Sequence, residues 1–159
     1  MSRRFAAWTP GYSFVAQAMG RPPLNWNGQN YTDVNGLREG FGVTFHLQGG
    51  HSDWFHCPIA TPVLVEDQRA NLDKVFVLYN LPQGAAINSV HVWDGPNRVL
   101  QRDGLDLTGD HSRGIDADNF FPVNEAAVLW GIGISVLVST ISDADIHFTT
   151  AGADFLHDI

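Results

Sequence analysis

Phe41, Val43, Phe45 and Leu47 alternate with Gly42, Thr44, His46 and Gln48. That two-residue period is the mark of a strand with one face buried. Further strand-like runs follow toward the C-terminus, and Val75 to Tyr79, apolar on both faces, reads as an interior strand. Apolar runs at Trp54 to Ile59, Thr61 to Val65, Val75 to Tyr79, Ile87 to Trp93, Arg98 to Gln101, Ala127 to Val138 and Ile146 to Thr150 are separated by turn residues. Gly49-Gly50, Pro82-Gln83-Gly84 and Asp94-Gly95-Pro96-Asn97 are the clearest of these breaks. No stretch of eleven or more residues keeps a helical period with caps; Tyr12 to Met19 is at most a short helix or a strand. Without alternating strands and helices a doubly wound fold is excluded. The pattern predicts an all-β chain folded as one antiparallel β-sandwich of jelly-roll kind.

The chain has 159 residues, enough to bury a core without staples. Residues 1–39 read as an irregular N-terminal arm packed on the body, and residues 40–159 as the sandwich. Acidic residues are mostly Asp and the cations are Arg apart from Lys74, a bias toward turns and away from helices. A net charge of −8 without a basic stripe argues against nucleic acid and anionic membrane as partners. The lone Cys57, set in Trp54-Phe55-His56-Cys57-Pro58-Ile59, cannot form an internal disulfide and reads as a buried thiol. Arg3-Arg4 before Phe5-Ala6-Ala7-Trp8 imitates a signal peptide, but Thr9-Pro10-Gly11 interrupts the apolar stretch, so the expected location is cytoplasmic.

If Gly49 to Asp53 closes a hairpin centred near His51, His46 stands opposite His56, facing away from Phe45 and Phe55. Two imidazoles begin a zinc or copper site, but nothing in the sequence supplies a third ligand, so no metal is expected. A second cluster spans His91, Asp94, Asp103, Asp106, Asp110, His111, Asp116 and Asp118. It offers oxygen ligands for a structural calcium ion, without EF-hand spacing, and Arg98, Arg102 and Arg113 stand ready to pair with it. The same stretch supplies the His/Asp kit of acid–base chemistry, with His56, His91, Asp94, Asp103, His111 and Asp116 as candidates. No nucleophile elbow, phosphate loop or dinucleotide fingerprint occurs.

In the run at Ala127 to Val138, Trp130, Ile132, Ile134, Val136 and Val138 fill one face, while Gly131, Gly133 and Ser135 leave the other nearly bare. Glycine inside a strand marks a bulge or a close approach. The bare face is expected to meet another sheet, the arm or a ligand. Of five tryptophans, Trp8, Trp26, Trp54 and Trp93 are not clearly in apolar strand faces; together they suit a platform for carbohydrate or a protein partner, while core and rim packing is the commoner role for each taken singly.

Taken in order, Trp54-Phe55-His56, Thr61-Pro62-Val63, His91-Val92-Trp93-Asp94-Gly95, Asp103-Gly104-Leu105, Gly109-Asp110-His111-Ser112, Gly114-Ile115-Asp116, Gly131-Ile132-Gly133-Ile134-Ser135 and Ala151-Gly152-Ala153-Asp154-Phe155 resemble a family of small, mainly bacterial proteins known only as a domain of unknown function. The resemblance covers roughly Gly40 to Phe155. It implies that His56, His91, Asp94, Asp103, His111 and Asp116 lie in recurring segments, whereas His46 and His51 do not. It carries no activity. The function expected from the residues is a non-catalytic binding or assembly module without cofactor, taking a small molecule, a carbohydrate or a protein partner, with self-association open. The alternative is a small cofactor-free lyase, isomerase or cyclase working through His and Asp.

Overall fold

The computed structural model describes residues 2–17 and 36–158. They form strands β1 (Ser2–Pro10), β2 (Val15–Ala16), β3 (Leu37–Glu39), β4 (Gly42–Leu47), β5 (Ser52–Pro58), β6 (Leu64–Val65), β7 (Gln68–Arg69), β8 (Asn71–Leu81), β9 (Ala85–Asp94), β10 (Asn97–Arg102), β11 (Gly109–His111), β12 (Phe120–Ala127), β13 (Ile132–Thr140) and β14 (Ala144–Asp158). One 3-10 turn, Gly11–Ser13, is the only helical element among the described residues. The chain is all-β and its pairings are antiparallel, as the period predicts. No described helix is long and apolar enough to cross a membrane.

The larger sheet runs β11-β8-β14-β4-β3, with β1 also on β14 and β12 also on β8. The smaller runs β10-β9-β13-β5-β2, and β6 and β7 form a separate ribbon. Residues pointing inward from both sheets make one hydrophobic core. Its centre is aromatic: the Phe45 and Phe55 rings meet at 4.9 Å and Phe14 stacks on Phe148 at 4.2 Å.

Several segments depart from the sequence reading. The lead-in expected to be irregular begins as a nine-residue strand, in register with β14 from Ser2↔Asp158 to Pro10↔Thr150. Its alternation was masked because apolar Ala6 and Trp8 occupy the outward positions between Phe5, Ala7 and Thr9. Trp8 is no loose aromatic: it lies across Gly152, where a Cβ would strike its ring, and stacks on Phe76 at 4.9 Å. The expected helix or strand at Tyr12 to Met19 is a single turn followed by β2, and Ala18 and Met19 lie outside the described residues. Phe41 is not the first inward residue of β4 but sits in the preceding turn, 63% exposed. The expected strand from Ala127 to Val138 is broken. The Asp94 carboxylate accepts the backbone N–H groups of Leu129, Trp130 and Gly131 at 2.6, 2.8 and 2.9 Å, folding them into a turn. Trp130 is thereby turned out of the core, 70% exposed, while Ile132, Ile134, Val136 and Val138 fill it as expected. The longest strand is β14, whose small residues Ala151-Gly152-Ala153 hid its extension to Asp158.

The hairpin between β4 and β5 is also different. The two strands belong to opposite sheets, and Phe45 and Phe55 face each other across the core. The Gly49-Gly50 turn is held instead by the end of β13: the Gly50 N–H donates to the Thr140 carbonyl, and the Thr140 hydroxyl donates to the Gln48 carbonyl.

The 3-10 turn offers a test of how tightly the N-terminal segment is seated. A Cβ at Gly11 would overlap the backbone carbonyl of Phe148 on β14, where no side chain can yield. Gly11→Ala is expected to cost about 1–3 kcal/mol in urea unfolding, the usual range for overpacking. Parent-like stability would contradict this seating.

Candidate functional site

The outward face of the smaller sheet gathers most of the residues singled out in the sequence. Register sets them in rows, because side chains directly opposite on antiparallel strands are close neighbours. One row crosses β5, β13 and β9 as His56, Ser135 and His91; the next is Pro58, Gly133 and Trp93. Trp54, on the same face of β5, reaches over β13 so that its ring meets that of His91 at 4.8 Å. Arg98, opposite Trp93 on β10, holds its guanidinium 5.8 Å from the indole centroid.

Where Gly133 lacks a side chain, the sheet face is open. A groove of about 330 Å³ lies there, bordered by Val15, His56, Pro58, Trp93 and Ser135 with Gly133 at its floor. Nothing among the described residues comes within 4 Å of a Cβ placed at Gly131 or Gly133. The close approach expected of this face is therefore not made by the described part of the chain, and the glycines line open space.

The polar groups around the groove are mutually satisfied. Gln17 Oε1 accepts from His56 Nε2 at 3.0 Å, which leaves Nδ1 to accept from the Ser135 hydroxyl at 2.8 Å. His56 is thus held neutral; burial lowers its pKa, against a smaller opposing pull from Asp53. His91 donates Nε2–H to Asp103 at 2.8 Å, and Gln101 donates to the other carboxylate oxygen at 2.5 Å. The hydrogen bond from His91 leads, with those of Gln101 and Ser89, in lowering the exposed Asp103 carboxyl to about 2. Cys57 backs this region from the core side; burial pushes its thiol up to about 12, so it is inert.

The remaining candidates are elsewhere. Asp94 is the clamp of the Leu129 to Gly131 turn. Burial pushes its carboxyl up, yet the three backbone N–H groups and the charge of Arg69 outweigh that and hold it below the ordinary range. His46 is not opposite His56. It lies on the other sheet, opposite Asp145 and 2.9 Å from its carboxylate. The hairpin reading of that pair fails because the connection crosses between sheets, sending the two outward faces in opposite directions. His111, the last residue of β11, sits with Asp116 and Asp118 of the loop that follows, with potential ligand atoms within 4.8 Å of one another. Both ring nitrogens of His111 face acceptors, the Asp116 carboxylate at 2.7 Å and the Thr108 carbonyl at 3.0 Å. Asp116 leads in raising the His111 pKa, and since both ring nitrogens are already engaged, a metal ion there would have to displace these hydrogen bonds. Sequence reasoning missed Val15, Gln17 and Pro58. Only the fold brings the N-terminal segment beside β5, through the Gln17 N–H to the Trp54 carbonyl at 2.8 Å. Trp26 lies outside the described residues.

The family model described as a family of unknown function, DUF6623, matches residues 32–144. The chain belongs to that family. No curated protein matches it.

Two outcomes test this geometry. Gly133→Val should leave stability equal to the parent or up to about 1 kcal/mol higher, since it relieves strand glycine entropy in open space; a fall in melting temperature of several degrees would mean the face is packed. The His111–Asp116 pair should stabilise most between the two unperturbed pKa values, about 4 and 6.5. Asp116 is lowered, so its contribution fades as pH falls below that window; His111 is raised, so its contribution fades as pH rises through the folded value. The stability difference between parent and His111→Gln, followed by urea unfolding from pH 5 to 9, should shrink with rising pH.

Proposed function

We propose that this DUF6623 protein is a non-catalytic binding module whose sheet-face groove, between Trp93 and Pro58, receives a small ligand with a flat apolar face. One observation carries the reading. The groove is floored by glycine and walled by indole, proline and valine, and the polar side chains at its border already bond to one another. Such a slot rewards burial of apolar area and asks for few hydrogen bonds. Its volume is at the small end of ligand sites, suited to one or two rings.

The acid–base enzyme reading has less support. His91 and Asp103 form a dyad, but His91 is 9% exposed and lies beneath Trp54. Ser135 stands in mid-strand, where the ladder to β5 and β9 engages the backbone, so no free N–H pair is placed to stabilise an oxyanion. The strand orders support a jelly-roll reading of the architecture: β4 continues into β5, β8 into β9, and β13 into β14, each passing from one sheet to the other. A chain with one cysteine, and so without an internal disulfide, accords with a cytoplasmic location.

Fragment screening by NMR on isotope-labelled protein tests the ligand reading, using indole, phenol and cyclohexanol as probes. The expected result is shifts at Gly133, Ser135 and the Trp93 indole, abolished in Gly133→Leu. Binding mapped to another surface, or retained in the filled variant, would refute it.

A further inference from the structure

A second depression lies at the other end of β13 and has the opposite chemistry. Its volume is about 270 Å³, and it is bordered by Asn88, Asp106, Thr108 and Ser139, with Ala86 and Ile141 as its apolar parts. We propose that it binds one polyhydroxylated ring, a neutral monosaccharide unit, independently of the apolar groove.

The fold aims these four side chains together. β9 carries one extra residue against β13: Leu137 pairs with Ser89 and Val138 with Ile87, leaving Asn88 in a bulge. Bulges of this kind re-aim a side chain and recur beside binding sites. Here the bulge sends the Asn88 amide to the Ser139 hydroxyl at 2.6 Å. The same stretch holds the neighbouring loop. Ile87 and Leu107 exchange backbone hydrogen bonds at 2.8 and 3.1 Å, and the Leu105 N–H donates to the Asn88 carbonyl at 3.0 Å. Asp106 and Thr108 flank Leu107 and are thereby set at the rim.

What the four groups leave unused defines the ligand. Asn88 donates to Ser139, so its Oδ1 remains an acceptor and the Ser139 O–H remains a donor. The Asp106 carboxylate and the Thr108 hydroxyl have no side-chain hydrogen bond among the described residues. Two acceptors, one of them charged, beside two hydroxyls match a vicinal diol, whose O–H groups donate and accept in turn. A phosphate or carboxylate would meet Asp106 and be repelled. An aromatic ring would find no stacking partner and would leave the acceptors dry. Ile141, 87% exposed, offers its side chain to the C–H face of a sugar ring.

Titration of labelled protein with D-glucose, D-galactose, D-mannose and L-fucose, one at a time to high millimolar concentration, tests the proposal. The expected result, for at least one sugar, is saturable shifts at Ala86, Asn88, Ser139 and the Ile141 methyls. Asp106→Ala should weaken that binding about tenfold or more, because it removes a charged hydrogen-bond acceptor. Its melting temperature should stay at the parent value, since Asp106 supports nothing else. Ser139→Ala should weaken binding as well. Absence of saturable shifts with all four sugars, shifts centred on Gly133 and Trp93, or unchanged affinity in Asp106→Ala would each overturn it. Loss of fragment binding in the apolar groove would leave this result untouched, so the two sites stand or fall separately.

Discussion

The central strand of the smaller sheet must serve two faces at once. Inward, Ile132, Ile134, Val136 and Val138 fill the core between the sheets; outward, the alternate positions are Gly133, Ser135, Leu137 and Ser139. A strand cannot change one face without keeping the other in register, because a slip of one residue exchanges them. The core therefore fixes where the outward residues stand. Gly133 opens the apolar groove near one end of the strand, and Ser139 closes the polar depression near the other. Between them Ser135 is locked by His56.

The ends of that strand are set by hydrogen bonds, not by apolar patterning. At the start, three backbone N–H groups converge on Asp94, a buried carboxylate that would be costly without them. At the finish, Thr140 takes up the Gly49-Gly50 turn, and the Ile141 N–H donates to the Gly84 carbonyl. The first clamp turns Trp130 outward and defines where β13, and with it the floor at Gly133, begins. The second ties the corners of three sheet crossings together. One feature at the far edge of the core is without such satisfaction: His157 is fully buried beside Phe5, and neither ring nitrogen has a hydrogen-bond partner among the described residues.

The two proposed binding chemistries can share one sheet because they draw on different features of the same strands. The groove exists through missing side-chain volume, and its polar neighbours are neutralised by pairing. The depression exists through a bulge that turns polar groups toward a common space and leaves their valences open. His111, Asp116 and Asp118 form a third cluster, but its geometry is that of a staple: an imidazole held between a carboxylate and a carbonyl.

Much of the fold was legible in the order of residues. The two-residue alternation in β4 and β13 and the doubly apolar run at Val75 to Tyr79 point to an all-β chain, and the Gly, Pro and Asp breaks mark most turns, since all of these depend on neighbours along the chain. The bare face at Gly131 and Gly133 was visible for the same reason, as were His56 as an outward residue and Trp93 as one off the apolar faces. Whether anything covered those glycines was not, because that depends on elements distant in sequence. Only the tertiary structure decided that β4 and β5 part into different sheets. With that, His46 and His56 were separated and His56 was given to Ser135 and Gln17. Likewise the reach of Trp54 to His91 and the convergence of Asp106 with Ser139 depend on strands far apart in the chain. Local alternation determines which face a side chain takes; which residues share that face is determined by strand order, and strand order is set by the packing of the whole core.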